Sequence, residues 1–375
     1  RSAIAGAIIV KTKAPTFEPE AALQFGLQAD DVSDTTFILN GVVSGPLSEN
    51  IAARLSFEIA DGEDPRTTSG AGAGGFVTEY DNIRLRGKLL GQFETDFGAV
   101  ELRFTAEHQS GQTPQTRYTV STPAPNTVPT TRNLADPGTN ARTFDTETNL
   151  LSLEATLDTD AGTFTSITSF IDDQFTSVPE QVFPSPIDGK EQIFSQDIIY
   201  AFGQTERTLS GQFGGVLGFN YERRAQDNAV VTPLPAPPGA SLSFASDVVT
   251  KTTSVYADLR YGLSDDLTVF GGARLLRYED ERAQQTIAPF PLPSANEASS
   301  QTENEFLPTL GLAYYFDDQK VLSGSVRRGY NPGGGAINLF TGQPYTFESE
   351  TVTTAEITYR SATDRTAYGI TAYYN

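Results

Sequence analysis

The chain has no cysteine, no methionine, no tryptophan and a single histidine, His108. Without cysteine there is no disulfide, no thiolate nucleophile and no thiolate metal site. One histidine counts against a Ser-His-Asp triad and against a multi-histidine metal site. His108 stands beside Gln109 and Ser110 at the end of a candidate strand, and it reads as a rim residue rather than a catalyst. With no methionine, no initiator residue is present, and no signal peptide is visible, so a segment of a longer chain is expected. Long apolar runs are missing too. No stretch of 18 apolar residues occurs, which excludes a transmembrane helix but not a β-barrel, whose strands alternate. Positive charge is scarce: Lys plus Arg is 26 against 47 for Asp plus Glu, a formal net charge of −21. Such a balance disfavours binding to nucleic acid.

Composition alone leaves a soluble all-β protein and a membrane barrel open. What is present is alternation. In Ile51–Ala60, Ile51, Ala53, Leu55, Phe57 and Ile59 fall on one face, with Arg54, Ser56 and Glu58 opposite. In Ile83–Phe93, Ile83, Leu85, Leu89 and Phe93 oppose Arg84, Arg86 and Lys88. Val100–Glu107 sets Val100, Leu102, Phe104 and Ala106 against Glu101, Arg103 and Glu107. Earlier strands are expected at Glu20–Ala29 and Thr35–Val43. Later ones are expected at Asn149–Asp158, Thr163–Asp172, Ile193–Phe202, Thr208–Arg223, Thr252–Leu263, Leu267–Glu279, Glu305–Phe316, Lys320–Gly329, Thr351–Arg360 and Thr366–Tyr374. The total is about fifteen. Several exceed the globular mode of ~5–6 residues and suit tilted membrane strands of ~9–11.

The connections favour a barrel over a sandwich, because they alternate in length. Short turns are expected at Gly45–Asn50, Glu94–Gly98, Asp158–Gly162, Gly203–Arg207, Ser264–Asp266, Asp317–Gln319 and Ser361–Arg365. Between them fall long polar loops at Asp61–Tyr80, Ser110–Glu147, Gln174–Gln192, Arg224–Lys251, Asp280–Asn304 and Tyr330–Glu350. Up-and-down outer-membrane barrels have this parity, with short periplasmic turns and longer extracellular loops. Tyrosines near strand ends could supply interfacial belts in place of tryptophan: Tyr221, Tyr256, Tyr261, Tyr278, Tyr314, Tyr315, Tyr359, Tyr368, Tyr373 and Tyr374.

Arg1–Pro15, RSAIAGAIIVKTKAP, reads locally as a buried β-strand reached through a tight glycine-permitted backbone. Followed by so many alternating strands, it resembles the end of the plug domain of TonB-dependent outer-membrane receptors, through Ile4, Gly6, Ile8, Val10, Thr12, Lys13 and Pro15. The family's usual second glycine is Ala5 or Ala7 here. Four later segments resemble the same receptors in the same order. They are Phe194-Ser195-Gln196-Asp197, which lacks the usual arginine; Phe213–Tyr221, with Phe for Trp; Leu267–Tyr278; and the pair Phe306-Leu307-Pro308 with Arg328–Gly334. Glu350 and Glu356 fall where the family often has glutamates.

The resemblance implies an all-β fold: an antiparallel up-and-down transmembrane β-barrel. It would be incomplete, about fifteen strands of an expected total of about 22. Residues 1–15 would be the C-terminal end of an N-terminal plug and residues 16–375 the N-terminal part of the barrel. It further implies TonB-dependent import of a scarce bulky nutrient across the bacterial outer membrane, an iron–siderophore complex being the commonest case. The implied partners are the TonB–ExbB–ExbD complex, the small-molecule ligand and outer-membrane lipid. No enzyme activity, cofactor or metal site is expected. Arg54, Arg84, Arg86, Lys88 and Arg103 would face the lumen and the plug, with Glu58, Glu101 and Glu107 as wall partners. Arg327, Arg328 and Tyr330, entering a glycine-rich loop, are candidate contacts for an anionic ligand. A passive porin and a cell-surface β-rich binding protein stay open as alternatives. A hydrolase built on Asp172-Asp173 or Glu279-Asp280-Glu281 is more distant, since acidic clusters are common in solvated loops. The loops do not reveal the substrate.

Overall fold

The computed structural model describes residues 11–29, 35–63, 67–69, 79–116, 131–133, 141–179, 186–203, 207–233, 240–289, 294–338, 343–363 and 365–375. In chain order the strands are β1 (Glu20–Gln28), β2 (Thr36–Pro46), β3 (Ile51–Glu63), β4 (Thr67–Ser69), β5 (Glu79–Thr95), β6 (Gly98–Thr116), β7 (Thr131–Asn133), β8 (Ala141–Thr159), β9 (Gly162–Pro179) and β10 (Ile187–Phe202). They continue as β11 (Phe213–Pro233), β12 (Ser241–Gly262), β13 (Leu267–Ile287), β14 (Ala295–Asp317), β15 (Lys320–Asn331), β16 (Gly334–Asn338), β17 (Gln343–Phe347), β18 (Glu350–Ala362) and β19 (Ala367–Tyr374). Fifteen of them form one sheet in the order β1-β2-β3-β5-β6-β8-β9-β10-β11-β12-β13-β14-β15-β18-β19. Each is antiparallel to its neighbours, so the sheet is an up-and-down meander. The short strands β4 and β7 pair with each other, as do β16 and β17.

The register carries one apolar face from strand to strand. Leu39 pairs with Ile59, Ile59 with Ile83, Leu89 with Phe104, Phe104 with Leu153, and Val255 with Leu275. These side chains are open to the surroundings: Leu55 is 45% exposed, Leu275 56% and Leu310 65%. A soluble sheet would cover such a face, whereas a barrel wall turns it to hydrocarbon. On β3 the face runs from Ile51 to Ile59, roughly 30 Å of strand at ~3.3 Å per residue, enough for a tilted crossing of a band ~25 Å tall.

At the short-turn end the belt is rimmed by aromatic side chains. Phe164 stacks on Tyr200 at 4.3 Å, Tyr200 on Phe202 at 5.6 Å, and Phe202 meets Phe213 at 5.6 Å. Further round, Tyr314, Phe316, Tyr359 and Tyr368 form a second run. Tyr256, Tyr278 and Tyr315 do not belong to it, because their registers place them on the opposite face. The tyrosine pattern at strand ends did not separate the two faces, since one residue of offset reverses a side chain.

Two of the short turns share a form. Thr95-Asp96-Phe97-Gly98 and Thr159-Asp160-Ala161-Gly162 both close on a positive-φ glycine, and each threonine Oγ1 donates to the glycine carbonyl, at 2.8 and 2.7 Å. The connections at the other end are not the loops the sequence led us to expect. β11 continues ten residues past Arg223, β12 starts eleven residues before Thr252, and β14 starts ten before Glu305. Both faces of these extensions are polar, so the alternation that marks a strand in sequence fades there.

One interruption stands out in the wall. The β14–β15 ladder stops at the Thr309–Arg327 pair, although both strands go on. The next β14 residue upward is Pro308, which has no N–H to donate. Above it, β16 packs on β13 and β14.

Candidate functional site

The face opposite the apolar belt holds the candidate residues, in two groups. The first lies on β3, β5 and β6. Register places Arg54 opposite Lys88, Arg86 opposite Glu107, and Arg103 opposite Glu154. Alternation alone therefore aligns the five predicted basic residues on one wall. Four of them meet carboxylates of that wall. Arg54 pairs with Glu20, Arg84 Nε lies 3.4 Å from Glu107, Arg86 lies 2.6 Å from the same carboxylate, and Arg103 reaches Glu101 and, at 3.0 Å, Glu154. Glu58 instead accepts from Asn82 Nδ2 at 2.9 Å.

Lys88 differs. Its Nζ donates to the carbonyls of Thr12 and Lys13, both at 3.2 Å, and to the Thr12 hydroxyl. Residues 1–10 of the opening stretch lie outside the described residues, and 11–15 are irregular rather than strand.

The second group lies higher, where β13, β14 and β15 meet the β16–β17 hairpin. Asp280 is its buried centre, 2% exposed. Arg282 grips it through Nε at 2.5 Å and Nη2 at 2.9 Å, a two-point contact that suits guanidinium and carboxylate. Tyr278 donates to it at 3.1 Å. The sequence placed these residues in a loop. They are strand, and the i, i+2 spacing of Tyr278, Asp280 and Arg282 is what brings them onto one face. Arg282 also donates to the carbonyl of Gly335 at 3.1 Å, tying the hairpin down. Gly333 fits because a Cβ there would stand 2.7 Å from the Phe347 carbonyl oxygen.

Arg327, Arg328 and Tyr330 lie at the end of β15 beside this cluster. Arg327 is 3.4 Å from Glu356 and Arg328 is 3.4 Å from Glu305, while Tyr330, 3% exposed, donates its hydroxyl to Glu303. Each candidate is thus already engaged by a carboxylate. A cavity of about 440 Å³ opens alongside, lined by Glu222, Arg224, Thr250, Tyr278, Arg282 and Tyr330.

At this height the outward residues of β13 are Arg277, Glu279 and Glu281, so the cluster stands clear of the apolar belt. Burial, then the neighbouring Asp280 charge, pushes the Tyr278 phenol up to about 12. Burial and the hydrogen bond to Glu303 push Tyr330 up as well. His108, mid-strand on β6, faces Asn149 Oδ1 at 2.8 Å in the row that continues the apolar face. Among the described residues, no group of three or more His, Cys, Asp or Glu could hold a metal ion.

A meander of long antiparallel strands with an apolar outer belt, an aromatic rim and a charged inner wall is a transmembrane β-barrel wall. Residues 48–375 match the family model described as TonB dependent receptor-like, beta-barrel, and the chain belongs to that family. It is therefore a protein of the bacterial outer membrane. Solved structures agree in fold. The chain is similar to the ferric yersiniabactin uptake receptor FyuA from Yersinia pestis, with a TM-score of 0.79 and 17% identity over 96% of this chain and 55% of that one. It is similar to the ferric-catecholate import receptor Fiu from E. coli K12, with a TM-score of 0.66 and 14% identity over 93% and 56%. The ferripyoverdine receptor of Pseudomonas aeruginosa gives a TM-score of 0.66 and 15% identity over 93% and 47%. The chain spans about half the length of these receptors.

Proposed function

We propose that the protein imports a scarce, bulky nutrient across the outer membrane, a ferric siderophore being the substrate class, with energy from the TonB–ExbB–ExbD complex. The observation that carries this reading is the family wall with its charged, internally paired inner face, in a fold shared with receptors whose titles name ferric siderophores. Residues 1–15 are read as the end of a plug that fills the barrel, and 16–375 as the wall. Water-exposed ion pairs of the kind seen on β3, β5 and β6 contribute ~0–1 kcal/mol each, so they can hold a plug in register and still let it move. The vestibule cavity beside Tyr330 and Arg282 is read as part of the ligand path. No bond in the ligand is made or broken, which fits a site of hydrogen-bonding walls. The test is uptake of radiolabelled iron, offered as a panel of ferric siderophores, by receptor-deficient cells expressing the full-length protein. Uptake that needs both this protein and TonB supports the reading. Uptake of none of the panel, or uptake indifferent to TonB, overturns it.

A further inference from the structure

Lys88 is the exception among the five inner-wall cations, and the segment it holds is bound at further points. Its ammonium directs its donors to Thr12 and Lys13, two of them to main-chain carbonyls. Among the described residues, it has no carboxylate within salt-bridge distance. Lys13 in turn lies 2.6 Å from Glu20, and Glu20 is shared with Arg54. One residue past the buried Pro15, the Thr16 amide donates to Ser44 Oγ at 2.9 Å, and Ser44 passes a hydrogen bond to the Ala53 carbonyl at 3.2 Å. Ser44 is 3% exposed, so this contact sits inside the wall rather than on its surface. Residues 12–16 are thereby fastened to β1, β2, β3 and β5 before the first wall strand begins.

We infer that Lys88, Glu20 and Ser44 form a mooring site for the chain entering the barrel, which sets the point beyond which traction on the preceding segment does not unravel the protein. The mechanical role rests on the import reading; the mooring itself does not. The contacts suit the task. Lys88 binds carbonyls, which any sequence presents, so it holds the path of the backbone rather than one side chain. Ser44 and Glu20 fix the next residues at separate points, so load released at one is taken up at the next.

The test uses the full-length receptor in cells, with Ala14→Cys as the sole cysteine and maleimide labelling as the readout. The expectation is slow labelling at this position with TonB present or absent. In the Glu20→Gln, Ser44→Ala, Lys88→Met triple variant, labelling rises at least about tenfold when TonB is active, since reactivity tracks the population of the released state. A spin label at the same position gives a second readout on purified protein, restricted in the parent and mobile in the triple variant. Lys88→Met alone keeps the comparison available should the triple variant fail to assemble, and retention of a folded barrel is checked by heat-modifiable gel mobility. Fast labelling or a mobile spin label in the parent overturns the mooring, as does a triple variant or Lys88→Met that behaves like the parent in both readouts. A restricted spin label released by substitution, in a receptor showing no TonB-dependent uptake, leaves the mooring standing and sinks the import reading and the mechanical role with it.

Discussion

The lower and upper halves of the strands are one continuous ladder and yet obey different rules. Below, β13 alternates Leu267, Val269, Leu275 outward with polar or small residues inward; above, Arg277, Glu279 and Glu281 continue the same outward row. The lower half is specified by the surrounding hydrocarbon and would be ruined by a slip of one residue. The upper half has water on both sides and is specified by ladder hydrogen bonds and ion pairs. Function collects in the second region, where side chains can change without offending the membrane.

The contrast can be broken most severely at the belt. Leu55→Arg puts a cation in the middle of the apolar face and should cost about 2–4 kcal/mol of folding free energy, whereas Thr302→Arg, on the same face but above the belt, should cost about 0–1. Denaturant titration of the full-length protein in lipid vesicles measures both, and equal costs would refute the division. In the upper region the largest expected effect is local. Arg282→Ala strips the buried Asp280 of its guanidinium and frees Gly335, a loss of about 1–3 kcal/mol for a buried group left unpaired. Amide exchange of the β16–β17 hairpin should accelerate by at least about tenfold while the belt amides stay protected. Tyr330→Phe removes one hydroxyl and should loosen the same hairpin by about 1 kcal/mol. The smallest effect concerns pH. The Tyr278 phenol is raised to about 12, so the stability its neutral hydroxyl contributes is complete below pH ~10 and is lost as pH rises through about 12. Phenolate absorbance should show a late-titrating tyrosine that disappears in Tyr278→Phe.

The same division explains what could be read in the sequence. All fifteen wall strands were legible from alternation, and so was the shared face of Arg54, Arg84, Arg86, Lys88 and Arg103. Strand tops were not. Arg224–Lys251 and Asp280–Asn304 looked like loops because polar residues occupy both faces, and no hydrophobic period survives to betray a strand. Asp280 was noticed only as one of three consecutive acids, Glu279-Asp280-Glu281. The strand separates them, sending Asp280 to a buried arginine and its two neighbours outward. The ion pairs of Arg327 and Arg328 join residues 29 and 23 positions apart, a proximity set by register that no local pattern reports.

Pro308 gives the wall a slit. Below it β14 and β15 are sewn together; above it the two edges part, and the gap is spanned by Tyr330 to Glu303 and Arg328 to Glu305. An unpaired strand edge is normally a liability that a protein covers. Here the cover is the hairpin itself, fastened by side chains and not by a ladder. The hairpin can swing away from the rim for the cost of a few side-chain contacts, leaving every rung of the ladder below intact. The barrel thus carries a vent cut into its collar, with a flap whose hinge is already paid out in the chain between Asn331 and Gly334.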